Sequence, residues 1–150
     1  MTKVYKLMKQ HKDLTLNGYF YHERGRKPYV DTDEELNGNL VQKSYQYIHE
    51  YLDLLIDNTH ILKRAPAHVG FSYMWKHRVE DYTALLRQDE LGRLGTPHWI
   101  PNGLFIAVLR ERGIPETQIA NGPNSTVPFG MKALKFHEKI MGEGLKRKRE

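Results

Sequence analysis

Apolar residues recur every three or four positions in several stretches of the chain, which is the spacing of one face of an α-helix. The clearest stretch covers residues 35–57, and its apolar side chains are Val41, Tyr45, Ile48, Leu52 and Leu55. A second covers residues 72–87, with Trp75, Val79, Tyr82 and Leu86. The pattern predicts two long helices that pack against each other.

Two shorter helices are predicted in the second half of the chain. One begins near Pro101 and Asn102 and ends at Gly113, a residue type that suits the left-handed backbone after a helix; its inward residues are Leu104, Phe105, Val108 and Leu109. The other covers residues 127–143, with Thr126 as its N-cap and Pro128 in its first turn. Its inward residues are Met131, Leu134 and Ile140 or Met141.

Signals for strands are weak, since the apolar runs at residues 19–21 and 69–71 are short. In the first 30 residues, Leu14, Leu16, Tyr19 and Phe20 fall on one helical face, whereas Gly18 and Gly25 each disfavour a helix by about 1 kcal/mol relative to Ala. We therefore predict an all-α fold, a small compact domain of about four helices over residues 1–144, followed by a basic tail at 145–150.

The chain has 150 residues and no cysteine, which excludes disulfides, thiolate zinc sites and a cysteine nucleophile. Its length is that of one domain. No stretch approaches the roughly 18 consecutive apolar residues of a membrane span, and the first residues lack the apolar run of a signal peptide. We expect a soluble, cytoplasmic, monomeric protein with no membrane partner.

Charge is distributed unevenly along the chain. There are 23 Lys and Arg against 18 Asp and Glu, a net charge of +5 with a pI near 9.3. Residues 31–58 hold seven of the acids and one base, so the excess of positive charge lies in the segments on either side. A segregated basic surface attracts phosphate polyanions, double-stranded DNA among them, and it also suits an anionic membrane surface.

A metal site is not predicted. Three His-Glu pairs occur, at 22–23, 49–50 and 137–138. Adjacent residues on a helix point about 100° apart, so such pairs do not chelate a metal, and the sequence has no helical His-x3-His spacing. We expect neither a metal nor an organic cofactor.

The N-terminus holds a candidate nucleophile. Thr2 is small enough that removal of Met1 is expected, and this would leave an α-amino group with a reference pKa of about 7.7 to 8, well below that of lysine. Such an amine can add to an electrophilic sugar carbon and form a Schiff base if a carboxylate assists the proton transfers. Glu23, in the pattern Tyr21-x-Glu23-x-x-Arg26, is the candidate carboxylate by position.

These residues, taken together, resemble a known family. Thr2-Lys3, the Tyr21-x-Glu23-x-x-Arg26 pattern and Asn37-Gly38 are similar, at ungapped spacing, to the start of the phage pyrimidine-dimer DNA glycosylases of the endonuclease V type. Later matches are His68-Val69-x-Phe71-x-Tyr73 and Lys135-x-x-Glu138-Lys139-Ile140. The likeness covers the first 38 residues, about 10 in the middle and about 10 near the end.

The resemblance implies a small all-α DNA repair enzyme that bends the duplex and flips a base out of the stack. By this likeness the Thr2 amine attacks C1′ of the damaged nucleotide, and Glu23 assists ring opening and β-elimination. Lys3, Arg26, Lys135 and Lys139 are expected to hold backbone phosphates. His22, which stands where the family has an arginine, and Arg24 complete the expected DNA-binding set. An apurinic-site lyase, or a relative acting on another damaged base, fits the same amine and carboxylate.

Two non-enzymatic hypotheses stay open. Residues 109–120 read like the first two helices of a helix-turn-helix, so residues 102–143 could form the DNA-reading unit of a regulator. The other hypothesis is a structural protein whose basic face binds phosphate without sequence preference. Trapping of an imine with borohydride on abasic DNA separates both from the enzyme.

Overall fold

The computed structural model describes residues 1–21, 25 and 27–149. This part of the chain contains six helices and two short antiparallel hairpins. In chain order the elements are α1 (Lys3–Gln10), β1 (Leu14–Thr15), β2 (Gly18–Tyr19), α2 (Asp33–Asn37), α3 (Asn39–Asn58), α4 (Ser72–Leu86), α5 (Asn102–Glu111), β3 (Thr117–Gln118), β4 (Ser125–Thr126) and α6 (Met131–Arg149).

Helix α5 lies at the centre of the molecule. All eight residues from 102 to 109 are buried, and the helix packs against α1, α3, α4 and the first hairpin. A helix that is apolar on every side is stable only when other elements surround it. The predicted inward residues of this helix are confirmed, and its end is followed by Gly113 with φ +71°.

The predicted contact between α3 and α4 is confirmed. Along α3 the predicted apolar stripe is buried apart from Tyr45, which is half-buried, and the stripe also includes Tyr51. On α4, Trp75 and Val79 are fully buried. Leu86 was wrongly predicted to be buried, because it is the last residue of the helix and projects past the core with 52% of its surface exposed.

The helix predicted over residues 35–57 is divided at Gly38. Thr32 and Glu35 form a capping box, in which each side chain binds the other's backbone N–H, so a helix starts at Asp33. Gly38 then adopts an extended backbone, with ψ 157°, and serves as C-cap of α2 and N-cap of α3. This break places the end of α2 beside the start of α1.

The all-α prediction is corrected by the two hairpins. Leu14, Leu16 and Tyr19 are buried as an apolar face would be, but they lie in the β1–β2 hairpin and its loop and not in a helix. Gly18 makes the hairpin feasible: its φ is +126°, and an added Cβ would lie 2.1 Å from the Pro123 carbonyl oxygen. Strands of two residues are too short to show a period-two pattern.

The helix-turn-helix considered as an alternative within residues 102–143 is not formed. After α5 the chain passes through Gly113 and Pro115 into the β3–β4 hairpin, in which Thr117 pairs with Thr126. Thr126 is therefore a strand residue and not an N-cap, and the last helix begins at Met131 instead of 127. Val127 and Phe129 are buried in the core by chain outside any helix or strand, whereas Met131 is exposed.

The buried apolar side chains form one core cluster. Helix α6 packs on α3 and α4, and its backbone is helical over residues 145–149 of the predicted tail. Among the described helices, none is long and apolar enough to cross a membrane.

Candidate active site at the start of helix α1

Thr2 is the N-cap of α1. Its backbone is extended, with φ −80° and ψ 168°, and its Oγ1 accepts a hydrogen bond from the Tyr5 N–H at 3.2 Å. Val4, Leu7 and Met8 are buried on the inner face of the helix, which anchors α1 to the core. The Thr2 nitrogen consequently lies at the positive end of a packed helix, where a positive charge is disfavoured.

The Thr2 nitrogen is also held from α2. It donates to Oδ1 of Asn37 at 3.1 Å, across 35 positions of sequence. The Thr2 hydroxyl lies 3.1 Å from both the Leu36 carbonyl oxygen and Asn37 Oδ1, and its single hydrogen can serve either. Gln42 Nε2 donates to Thr2 Oγ1 and to the Leu36 carbonyl, each at 3.0 Å. The end of α2, the start of α3 and the start of α1 thus form one hydrogen-bonded junction.

The Asn37 side chain was singled out in the sequence only as part of a motif, and its role comes from the fold. Its Nδ2 donates to the Asp33 carbonyl oxygen at 3.0 Å, one turn back along α2. A carbonyl oxygen only accepts, so the amide nitrogen must face Asp33 and Oδ1 must face Thr2. The capping-box pair Thr32 and Glu35, which starts a separate short helix ahead of Gly38, was the sequence signal that could have located this junction.

The residues on either side of segment 22–26 line a cavity. His22, Glu23, Arg24 and Arg26 lie outside the described residues. Tyr21 and Lys27, on either side of that segment, line a cavity of about 170 Å³.

A larger groove of about 370 Å³ adjoins this cavity along α1 and shares Thr15, Phe20 and Tyr29 with it. Leu36 also lines the groove, and its carbonyl oxygen accepts a hydrogen bond from the Thr2 hydroxyl. The groove lies at the C-terminal end of α1, where Met8, Lys9 and His11 line it, whereas the Thr2 nitrogen is at the N-terminal end of the same helix.

Asp31 is a carboxylate of this groove that the sequence did not reveal. Both of its oxygens lie 3.0 Å from the Leu16 nitrogen, which binds the β1–β2 loop to the start of α2. Burial raises the pKa of Asp31, and this outweighs the lowering by the Leu16 hydrogen bond. Its side chain is thus a weaker acid than a surface aspartate.

Lysines that could contact phosphates lie on two separate elements. Lys3 is exposed in the first turn of α1, beside Thr2. Lys135 and Lys139 are exposed on α6, and Lys139 is 3.9 Å from Glu143. Helix α1 packs mainly on α2, α3 and α5, whereas α6 packs mainly on α3 and α4. The structure therefore brings Thr2 and Lys3 together but places the two α6 lysines on another part of the molecule.

Most arginines in the described part of the chain are already paired. Arg110 binds Asp13 and Glu116, while ion pairs with Asp81, Asp89 and Asp53 engage Arg78, Arg93 and Arg112 respectively. By contrast, nine cations whose side chains the structure describes have no carboxylate oxygen within 4 Å and donate no side-chain hydrogen bond: Lys3, Lys6, Lys12, Lys27, Lys43, Lys63, Arg64, Lys132 and Lys135. These nine are available to an external anion.

The buried histidines have structural partners. His137 on α6 hydrogen-bonds the Tyr51 hydroxyl of α3 through Nδ1 at 2.8 Å and the Asp81 carboxylate of α4 through Nε2 at 3.2 Å. These two bonds join the three helices. His98 lies 3.0 Å from both the Leu40 carbonyl oxygen and Ser44 Oγ. Within the described residues, no three His, Asp or Glu side chains are grouped in a way that could hold a metal ion.

Comparison of the chain with protein-family models, with curated proteins and with solved structures finds no match.

Proposed function

We propose that this protein is a DNA N-glycosylase with apurinic/apyrimidinic lyase activity, acting on damaged bases such as pyrimidine dimers. The observation that carries the proposal is the placement of the Thr2 nitrogen. It lies at the positive end of α1, within hydrogen-bond distance of a neutral acceptor. Once Met1 is removed, this nitrogen is a primary amine in an environment that disfavours its protonation.

The proposed reaction begins when the neutral amine attacks C1′ of the damaged nucleotide. A bond forms between the Thr2 nitrogen and C1′, and the base leaves with the electrons of the glycosidic bond and takes up a proton. The sugar ring then opens as the bond from C1′ to O4′ breaks, which gives an imine and a hydroxyl group. Loss of a C2′ proton expels the 3′ phosphate, and water hydrolyses the imine to restore the amine.

Glu23 is the group assigned to these proton transfers, on the strength of the resemblance. Lys3, Lys6 and the exposed lysines of α6 supply positive charge for the phosphate backbone. Contacts of this kind release counterions and give affinity without sequence preference. They fit an enzyme that searches duplex DNA for a lesion.

The test is borohydride trapping on a duplex with one abasic site. The protein is first checked by intact mass for a chain that begins at Thr2, and we expect it to form a covalent adduct with the DNA. A variant with one residue added ahead of Thr2 should lose at least tenfold in trapping rate while its DNA affinity stays within a few fold. Undiminished trapping by the extended variant would exclude the Thr2 amine. Salt-dependent binding with no adduct from either protein would favour a non-enzymatic DNA-binding protein.

The role of Glu23 needs a separate experiment. Glu23→Gln keeps the size of the side chain and removes its charge and basicity, and general acid-base catalysis is worth about 10² to 10⁴ in rate. We expect a loss of that order in single-turnover cleavage of dimer-containing duplexes, with DNA affinity unchanged or tighter. Glu34→Gln, at an exposed acid of α2, is the matched control. Wild-type rates for Glu23→Gln on both dimer and abasic duplexes would remove Glu23 from the site.

A further inference from the structure

We propose that Asn37 is the positioning residue of the Thr2 amine, and that its uncharged side chain holds the amine without favouring the protonated form. The inference rests on the proposed function and concerns a residue 35 positions from the nucleophile. The Asn37 amide oxygen accepts one N–H of the amine and so orients the nitrogen. Because this oxygen carries no net charge, it does not stabilise the ammonium ion as a carboxylate would. The unshared electron pair of the nitrogen is thereby left for C1′ of the sugar.

The geometry constrains the Asn37 amide on both sides. Nδ2 is committed to the Asp33 carbonyl, so Oδ1 can only accept, and it accepts from the Thr2 nitrogen at 3.1 Å. When the Thr2 hydroxyl donates to the Leu36 carbonyl, Oδ1 is left entirely to the nitrogen. Gln42 donates to the same hydroxyl and so keeps the Thr2 side chain in place. The bond is made by the Thr2 peptide N–H with Met1 in place, and after removal of Met1 the same oxygen is positioned to accept one N–H of the amine.

A neutral acceptor has a different effect on the amine from that of a carboxylate. An amide oxygen binds the N–H of an uncharged amine, whereas a carboxylate at the same distance favours the ammonium form. An opposite charge within about 4 to 6 Å shifts a pKa by roughly one to three units toward the charged form. An aspartate at position 37 would thus raise the amine's pKa and reduce the reactive fraction at neutral pH.

Among the residues that the structure describes, which do not include Glu23, the other charged groups around this junction do not supply that carboxylate. The first charged residues along α1 are Lys3 and Lys6, and the first along α3 is Lys43, all of which are positive. On α2, Asp33 pairs with Lys9 at 3.5 Å, Glu35 binds Tyr29 and Thr32, and Glu34 is exposed; on α5, Glu111 binds Tyr45 and His49. Among the described residues, Asn37 is the hydrogen-bond partner of the Thr2 nitrogen.

The experiment compares Asn37→Asp, Asn37→Ala and Asn39→Asp with wild type. Asn39 is exposed at the first position of α3 and makes no side-chain hydrogen bond among the described residues, so Asn39→Asp adds the same charge nearby without contacting Thr2. Single-turnover trapping on abasic duplex is measured from pH 6 to 9.5. Thermal melts and intact masses verify that each protein is folded and begins at Thr2.

We expect Asn37→Asp to shift the rising limb of the plot of trapping rate against pH toward higher pH by one pH unit or more. Its rate should be at least tenfold lower at pH 7 and should approach wild type at pH 9.5, while Asn39→Asp gives a smaller shift. Asn37→Ala should be slower at every pH, with its limb unmoved, and it tests positioning even if the aspartate variant does not fold. Wild-type profiles for both Asn37 variants would overturn the inference and leave the amine mechanism standing. Absence of trapping by wild type would instead refute the proposed function.

Discussion

Thr2 combines two tasks in one residue. Its hydroxyl caps α1 through the Tyr5 N–H, and its nitrogen is the proposed nucleophile. An N-cap is a favourable place for such a nitrogen because the helix backbone beyond it is rigid and its positive end disfavours the ammonium form. The two tasks involve different atoms and can be separated by substitution.

Thr2→Ala removes the cap and keeps the amine, since Ala is also small enough to permit removal of Met1. Loss of a Thr N-cap costs about 1 kcal/mol, so a urea melt should show a lower free energy of unfolding. We expect imine trapping to stay within about tenfold of wild type. Thr2→Ser, which retains the hydroxyl, should match wild type in both measurements. A folded Thr2→Ala variant of correct mass that forms no adduct would show that the hydroxyl itself is needed for the chemistry.

At the scale of elements, the first hairpin is seated on α5 by close backbone contact. The Gly103 N–H donates to the Leu16 carbonyl at 2.9 Å, and a Cβ at Gly103 would lie 1.6 Å from the Thr15 carbonyl oxygen. Arg110 and Glu116 add a polar anchor at Tyr19, whose pKa is raised to about 12 by burial and by its hydrogen bond to Glu116. The hairpin leads directly into the segment that contains Glu23.

Gly103→Ala should therefore destabilise the protein, because neither the hairpin nor the buried helix can move away without disrupting the packing around them. Overpacking of this kind costs about 1 to 3 kcal/mol, and backbone is less able to yield than a side chain. The control is Gly142→Ala on α6, where nothing lies within 4 Å of an added Cβ and a gain of about 0.5 to 1 kcal/mol is expected. Opposite shifts in melting temperature are the expected result. Equal stability of Gly103→Ala and wild type would mean that the hairpin is not held this closely.

At the scale of the whole molecule, pairing of charges decides which cations are available to an external polyanion such as the proposed DNA. The net charge of +5 includes arginines already bound to carboxylates. Among the described residues, lysines at the start of α1 and along α6 remain unpaired or weakly paired. Salt dependence of binding reports such contacts directly, because each neutralised phosphate releases counterions.

Removal of Lys135 or Lys139 should flatten the plot of log K against log salt by about 0.9 for each phosphate that is no longer neutralised. Arg93→Gln is the matched control, since it removes the same charge from a residue paired with Asp89 at 2.5 Å. We expect its slope to equal that of wild type. If all three variants flatten the slope equally, binding depends on net charge alone. Unchanged slopes for both lysine variants would place the DNA elsewhere on the surface.

Much of the helical architecture was predictable from the sequence, because long periodic elements carry many matching positions. The buried faces of α3 and α5 follow from the apolar spacing, and so does the pairing of α3 with α4. The hairpins were missed because each strand has two residues. The break at Gly38 was missed because apolar spacing continues across it, and only the capping box at Thr32 and Glu35 marks a separate helix.

The sequence by itself determined the helix stripes, the basic charge, the lack of cysteine chemistry and the candidate amine at Thr2, since each is a property of one residue or of neighbours along the chain. The tertiary structure decided that Asn37 meets the Thr2 nitrogen, that Asp31 lies in a groove beside α1, and which cations are paired. Two of the ion pairs, Arg78 with Asp81 and Arg93 with Asp89, are local. The contacts of Asn37 with Thr2, of Arg110 with Asp13 and of Arg112 with Asp53 join residues far apart in sequence. Such contacts arise only when α2, α3 and α5 pack against α1, and no local pattern encodes their geometry.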